Sequence, residues 1–115
     1  MSLSDIPITV VTSDGYVLSG MITPRMDYTS SFVMTLEQSS VICQGETGAN
    51  GAGGLSCSNG FWFEIQIPDY PSTNGSYVAG YDAAGNLVGD NQATRFVAIG
   101  YGNEANTAAL QGMLP

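Results

Sequence analysis

The sequence predicts an all-β fold: a small antiparallel sandwich or barrel of about 7–9 strands built from hairpins, with a short C-terminal helix. Three observations carry this. Apolar residues recur with period 2 rather than 3.6. The segments that show it are rich in β-branched and aromatic residues. They are separated by turns of one chemical type, Ser13-Asp14-Gly15, Ser58-Asn59-Gly60 and Thr73-Asn74-Gly75, in which Asp-Gly or Asn-Gly tolerates the positive φ of a tight hairpin. The 115 residues fit one domain spanning 1–115. An α+β arrangement is the alternative architecture.

Taken in order, residues 1–5 read as a disordered leader, standing where an export signal would have been removed. Strands are expected over 6–12 and 16–23. Residues 28–36 place Tyr28, Ser30, Phe32, Met34 and Leu36 on one face and Thr29, Ser31, Val33 and Thr35 on the other. Strands follow at 40–44 and 54–58. Between them, residues 44–54 hold five glycines and read as a flexible connection, not as strand.

The next hairpin fixes its own register. A three-residue loop, Ser58 to Gly60, pairs Cys57 with Phe61 and Leu55 with Phe63. Leu55, Cys57, Phe61, Phe63, Ile65 and Ile67 then share a core face, and a slip of one residue would scatter the set. Strands at 76–82 and 94–101 complete the sheet. Residues 102–115 form a helix or a tail: Asn103 to Gly112 combines an Asn cap, alanines and a terminal glycine, about two helical turns. Ala105, Ala109 and Leu110 would pack it on the sheet.

Composition excludes several chemistries. The chain has ten acidic residues, two arginines, no lysine and no histidine, for a net charge of −8. No Ser-His-Asp or Cys-His dyad, imidazole metal site, lysine Schiff base or P-loop lysine can be assembled. Two arginines cannot neutralise a run of phosphates, so nucleic acid is not an expected partner. No apolar run approaches the roughly 20 residues of a membrane-spanning helix, so membrane insertion is not expected either. Ser, Thr, Asn and Gly make up more than a third of the chain, a surface chemistry common among exported β proteins. In that setting Cys43 and Cys57 read as one disulfide, at the two ends of the glycine-rich segment. Closing such a loop stabilises by about 3 kcal/mol in the chain-entropy model.

The residues that carry candidate chemistry are few. Trp62, Glu64 and Gln66 fall on the face opposite the core set, the arrangement of a sugar-stacking platform; the alternative is that Trp62 packs beneath a second layer. Asp82, Asn86 and Asp90 are hard-oxygen groups that form a weak calcium candidate beside their simpler role in turns. Ten scattered carboxylates include no motif for paired acid catalysis. Asn74-Gly75-Ser76 fits the N-glycosylation sequon. Tyr81-Asp82-Ala83-Ala84-Gly85-Asn86-Leu87 resembles the core of the YD repeat of large secreted shell proteins, in which the motif recurs and makes successive hairpins. It occurs here once, and the resemblance implies a tight turn between two strands.

The expected function is therefore a non-enzymatic extracytoplasmic module, bacterial envelope or secreted, for macromolecular binding or assembly, with a protein or polysaccharide partner and no cofactor. A carbohydrate-binding domain centred on Trp62 is the alternative, and a carboxylate-dependent hydrolase the lesser one. Edge strands without lysine or proline also predict homodimerisation through a sheet edge or face.

Overall fold

The computed structural model describes residues 5–67 and 74–115; the leader at 1–4 and the first residue of the Thr73-Asn74-Gly75 turn lie outside them. Among the described residues nine strands form: β1 (Ile6–Thr12), β2 (Val17–Pro24), β3 (Ser30–Leu36), β4 (Ile42–Thr47), β5 (Ala52–Cys57), β6 (Trp62–Gln66), β7 (Gly75–Tyr81), β8 (Leu87–Val88) and β9 (Arg95–Tyr101). All pairings are antiparallel, in one sheet ordered β6-β5-β4-β3-β2-β1-β9-β7-β8. The sheet curls into a nearly closed barrel. One short helix, α1 (Thr107–Met113), follows.

The period-2 pattern becomes an inside and an outside. Along β3, Ser30, Phe32 and Met34 are buried while Val33 and Thr35 are exposed. The same alternation sends Ile8, Val10, Leu18, Ile22, Leu55, Ile65, Tyr81, Val97, Ile99 and Tyr101 into one continuous core. A buried polar pair lies within it: the Ser30 and Thr47 hydroxyls are 2.6 Å apart across β3 and β4. β1 and β9 are buried on their outer side as well, because α1 packs there. Leu110, 1% exposed, joins Val11 and Ala98 in a second small cluster. Asn106 caps the helix, its side chain accepting from the Ala109 N–H at 3.0 Å.

The two edge strands face each other. The Glu64 backbone N–H donates to Gly85 O at 2.9 Å. The Tyr81 hydroxyl donates to Glu64 O at 2.7 Å, and the Leu87 N–H donates to Glu64 Oε1 at 2.9 Å. Glu64 thus closes the barrel where the backbone ladder stops.

Four expectations need correction. Residues 44–54 are not a loose connection: β4 runs on to Thr47 and β5 begins at Ala52, leaving a short turn at 48–51. The physical reason is close approach. A Cβ on Gly45 would collide with the carbonyl oxygen of Gly54, and one on Gly53 with that of Glu46. Glycine is what lets a small barrel bend there, so its presence marks a sharply curved strand. Tyr28 is 58% exposed and takes a positive φ of 69° in the β2–β3 turn, outside the core face. Phe61 has the expected hydrogen bond, Cys57 N–H to Phe61 O at 2.8 Å. It is nonetheless 49% exposed, because it lies one residue before β6, at the barrel's rim. Gly112 lies inside α1 rather than ending it.

Candidate functional site

The platform around Trp62 is built by the β5–β6 hairpin. Its loop is the three-residue one, with Gly60 at φ 93° and the Gly60 N–H bonded to Cys57 O at 3.0 Å. Leu55 pairs with Phe63 and Ser56 with Trp62. That register turns Phe63 and Ile65 inward and Trp62, Glu64 and Gln66 outward. A disulfide joins Cys43 and Cys57, directly paired residues of β4 and β5, and so fixes the hairpin's base.

Trp62 is 41% exposed. Its indole lies against Gly54 on the neighbouring strand, where an added Cβ would come within 2.9 Å of Nε1. A side chain at position 54 would displace the ring; glycine lets it pack close to the barrel wall. The outward row through Trp62 continues across Ser56, Gln44 and Val33, and the next row across Glu64, Gly54, Glu46 and Ser31. The face therefore offers one flat aromatic ring among hydroxyls, amides and carboxylates. Some of these are already engaged. Glu64 accepts from Leu87, the Gln66 amide donates to Asn50 O at 3.1 Å, and Glu46 lies 3.4 Å from the Arg25 guanidinium.

Around the corner is the barrel's mouth, ringed by the β1–β2, β3–β4, β5–β6 and β7–β8 turns. Tyr16, Asn59, Phe61, Trp62, Asp82 and Arg95 surround a cavity of about 100 Å³ whose walls are largely apolar. Arg95 donates to Asp14 Oδ2 at 2.9 Å and sits over the Phe61 ring, 5.4 Å from its centroid. Partial burial pushes the Asp14 carboxyl up, but bonds from the Thr12 hydroxyl and its own N–H, with Arg95 beside it, hold it below the usual value. Deeper in, burial and the neighbouring Glu64 raise the Tyr81 hydroxyl, which stays a neutral donor.

Asp82 and Asn86 meet within the β7–β8 turn. Asp82 Oδ1 accepts from the Ala84 and Asn86 N–H groups, each at 2.9 Å, and Oδ2 from the Asn86 amide at 3.2 Å. Asp90 begins a separate 3₁₀ turn at Asp90–Gln92. Among the described residues, no three His, Cys, Asp or Glu side chains gather where a metal ion could be held. The Tyr81-to-Leu87 segment is the tight turn its motif implied, with Gly85 at φ 93°. Asn74 of the sequon accepts from the Asn103 N–H at 2.7 Å.

Arg95, Tyr16 and Phe61 were not singled out in the sequence as site residues. The signal for two of them was present: each aromatic directly follows an Asp-Gly or Asn-Gly turn, and in an up-and-down barrel alternate turns share one end. No known protein family, characterised protein or solved structure matches this chain.

Proposed function

We propose that this protein is a non-enzymatic extracytoplasmic binding module that holds a neutral polysaccharide on the outer face of β4–β6. The observation that carries the reading is Trp62 itself: a half-exposed indole packed against Gly54, with Ser56 and Gln44 beside it in the same outward row and Gln66 further along β6. A sugar ring stacks its C–H face on such a surface and takes hydrogen bonds from amides and hydroxyls beside it. Charge selects the class of partner. Glu46 and Glu64 on this face, and −8 overall, repel an acidic polymer. The Cys43–Cys57 disulfide supports an oxidising compartment. Among the described residues no helix is long and apolar enough to cross a membrane.

Affinity electrophoresis through gels containing a neutral β-glucan, an α-glucan or a mannan tests this. Retardation by at least one is expected, with a change in the emission of the single tryptophan. Trp62→Ala should abolish the retardation and leave the melting temperature nearly unchanged, since the ring is largely outside the core. Migration unaffected by every polymer, or retardation that survives in Trp62→Ala, would overturn the reading. Light scattering in the same buffers separates this from self-association: β6 and β8 already face one another, so a homodimer would use the outer wall and would compete with the polymer.

A further inference from the structure

The two ends of the barrel are filled differently. At the end where β3 begins and β9 stops, Tyr101 is buried and the Ser30–Thr47 hydroxyl pair closes the interior. At the mouth the inward aliphatic residues Val10, Leu18, Leu36, Val41 and Val97 stand back from Phe63 and Tyr81. They leave the open cavity of about 100 Å³. An engineered cavity of about 150 Å³ lined by aliphatic side chains holds benzene. With about two thirds of that volume, the mouth takes the inner part of a ring and leaves its polar edge at the rim.

We propose that the mouth binds a neutral single-ring phenol, ring inward and hydroxyl at the rim. The walls supply the apolar contact, and the half-exposed Tyr16 and Phe61 flank the entrance. Tyr16 and Asn59, both residues of the cavity lining, carry the neutral polar groups nearest to a ligand hydroxyl at the rim; the Asn59 oxygen also accepts from the Phe61 N–H at 3.2 Å. The rim's charges argue against an acid. Its one cation, Arg95, is bonded to Asp14 and stacked on Phe61, and Asp82 adds a second carboxylate. The net charge is −8, so an anionic ligand would meet an unfavourable field. This inference does not rest on the polysaccharide reading: Trp62 borders both, but the apolar walls lie inside the mouth, whereas Ser56, Gln44 and Gln66 lie on the outer wall away from it.

Methyl NMR of the labelled protein with p-cresol as the probe is the test. The expected result is saturable shifts at Val10, Leu18 and Val97 with a dissociation constant below about 1 mM, and none at Val78 or Met21 on the outer wall. Benzoate should bind at least about tenfold more weakly. Val41→Trp, which fills the mouth, should lose the p-cresol shifts, and Leu36→Phe serves if that variant does not fold. Gln44→Ala, on the outer wall and away from the cavity lining, should keep them, and the p-cresol shifts are read independently of the polymer gels, so failure here is distinct from failure of the polysaccharide reading. Shifts that do not saturate, benzoate binding as tightly as p-cresol, or full p-cresol binding by a folded mouth-filled variant would each overturn the proposal.

Discussion

The barrel has two walls held together by different means. Along β1 and β9 the chain is buried on both faces: Thr9, Val10 and Val11 are each 6% exposed or less, and Val97 to Tyr101 are buried throughout. The core lies on one side and α1 on the other, so both strands read as nearly unbroken apolar runs. Along β4 to β6 only the inner face is covered. The strands carry glycines and outward polar residues, and a disulfide and the Glu64 seam hold them. The contrast favours the bare wall for the proposed recognition. A wall stabilised by burial on both sides has no face left to offer, whereas a bare wall stabilised by a cross-link can present Trp62 to a partner.

The sharpest way to break the contrast is to remove the close approach on the bare wall. Gly45→Val sets a branched side chain against the Gly54 carbonyl. The cost is expected to exceed about 4 kcal/mol, enough to erase the cooperative melt followed by circular dichroism. Next is the cross-link. Cys43→Ala with Cys57→Ala should lower stability by about 3 kcal/mol, measured by urea denaturation. Reduction of the native protein should match it, while the β1–β9 amides stay the slowest to exchange.

Leu110→Ala probes the opposite wall. It removes the one fully buried side chain of α1 and should cost about 2 kcal/mol, the low end for a buried leucine because the cluster is small and lies near solvent. Hydrogen exchange should quicken in α1 and at the Val11 and Ala98 amides, leaving β4–β6 as before. Equal loosening of both walls would mean the barrel behaves as one unit and the contrast is false.

These two walls were not equally legible in sequence. The turn residues gave up their positions because positive φ has a short list of tolerant residues, and Leu55 against Phe63 fell into register because one slip would have turned every apolar side chain outward. The cysteine pair was legible from composition and from its place at the two ends of the glycine-rich segment. Glycines 45, 53 and 54 misled, since a flexible loop and a tightly bent strand ask for the same residue; only the neighbouring carbonyl distinguishes them. The mouth was hidden for a different reason. Tyr16, Phe61 and Arg95 are far apart in the chain and meet only once alternate turns are gathered at one end of a closed barrel. Glu64's role at the seam was equally invisible, because its partners, Gly85 and Leu87, lie on a hairpin that approaches β6 from the far edge of the sheet.

A smaller effect is expected at the seam itself. Glu64→Ala leaves the Leu87 N–H without its acceptor at a cost of about 1 kcal/mol, and should speed exchange at Leu87 before anything else on the sheet.

The mildest perturbation is acid. The Asp82 carboxyl is held below its ordinary value of 3.8, first by the Asn86 backbone N–H and then by the Asn86 side chain. A carboxylate with a depressed folded value stabilises above the unfolded value, and that contribution disappears as pH falls through the lower folded one. The window therefore opens just under pH 3.8 and extends downward. Protonation weakens the turn that aims the Gly85 carbonyl at the Glu64 N–H, so the Glu64 amide should exchange faster there than the Ile99 amide of the covered wall, after correction for intrinsic rates. Asp82→Asn keeps an oxygen for the Ala84 and Asn86 N–H groups but cannot titrate, and should flatten this difference. If the difference persists in that variant, acid is acting elsewhere. Asp14, depressed in the same way at the other side of the rim, is the group to replace next.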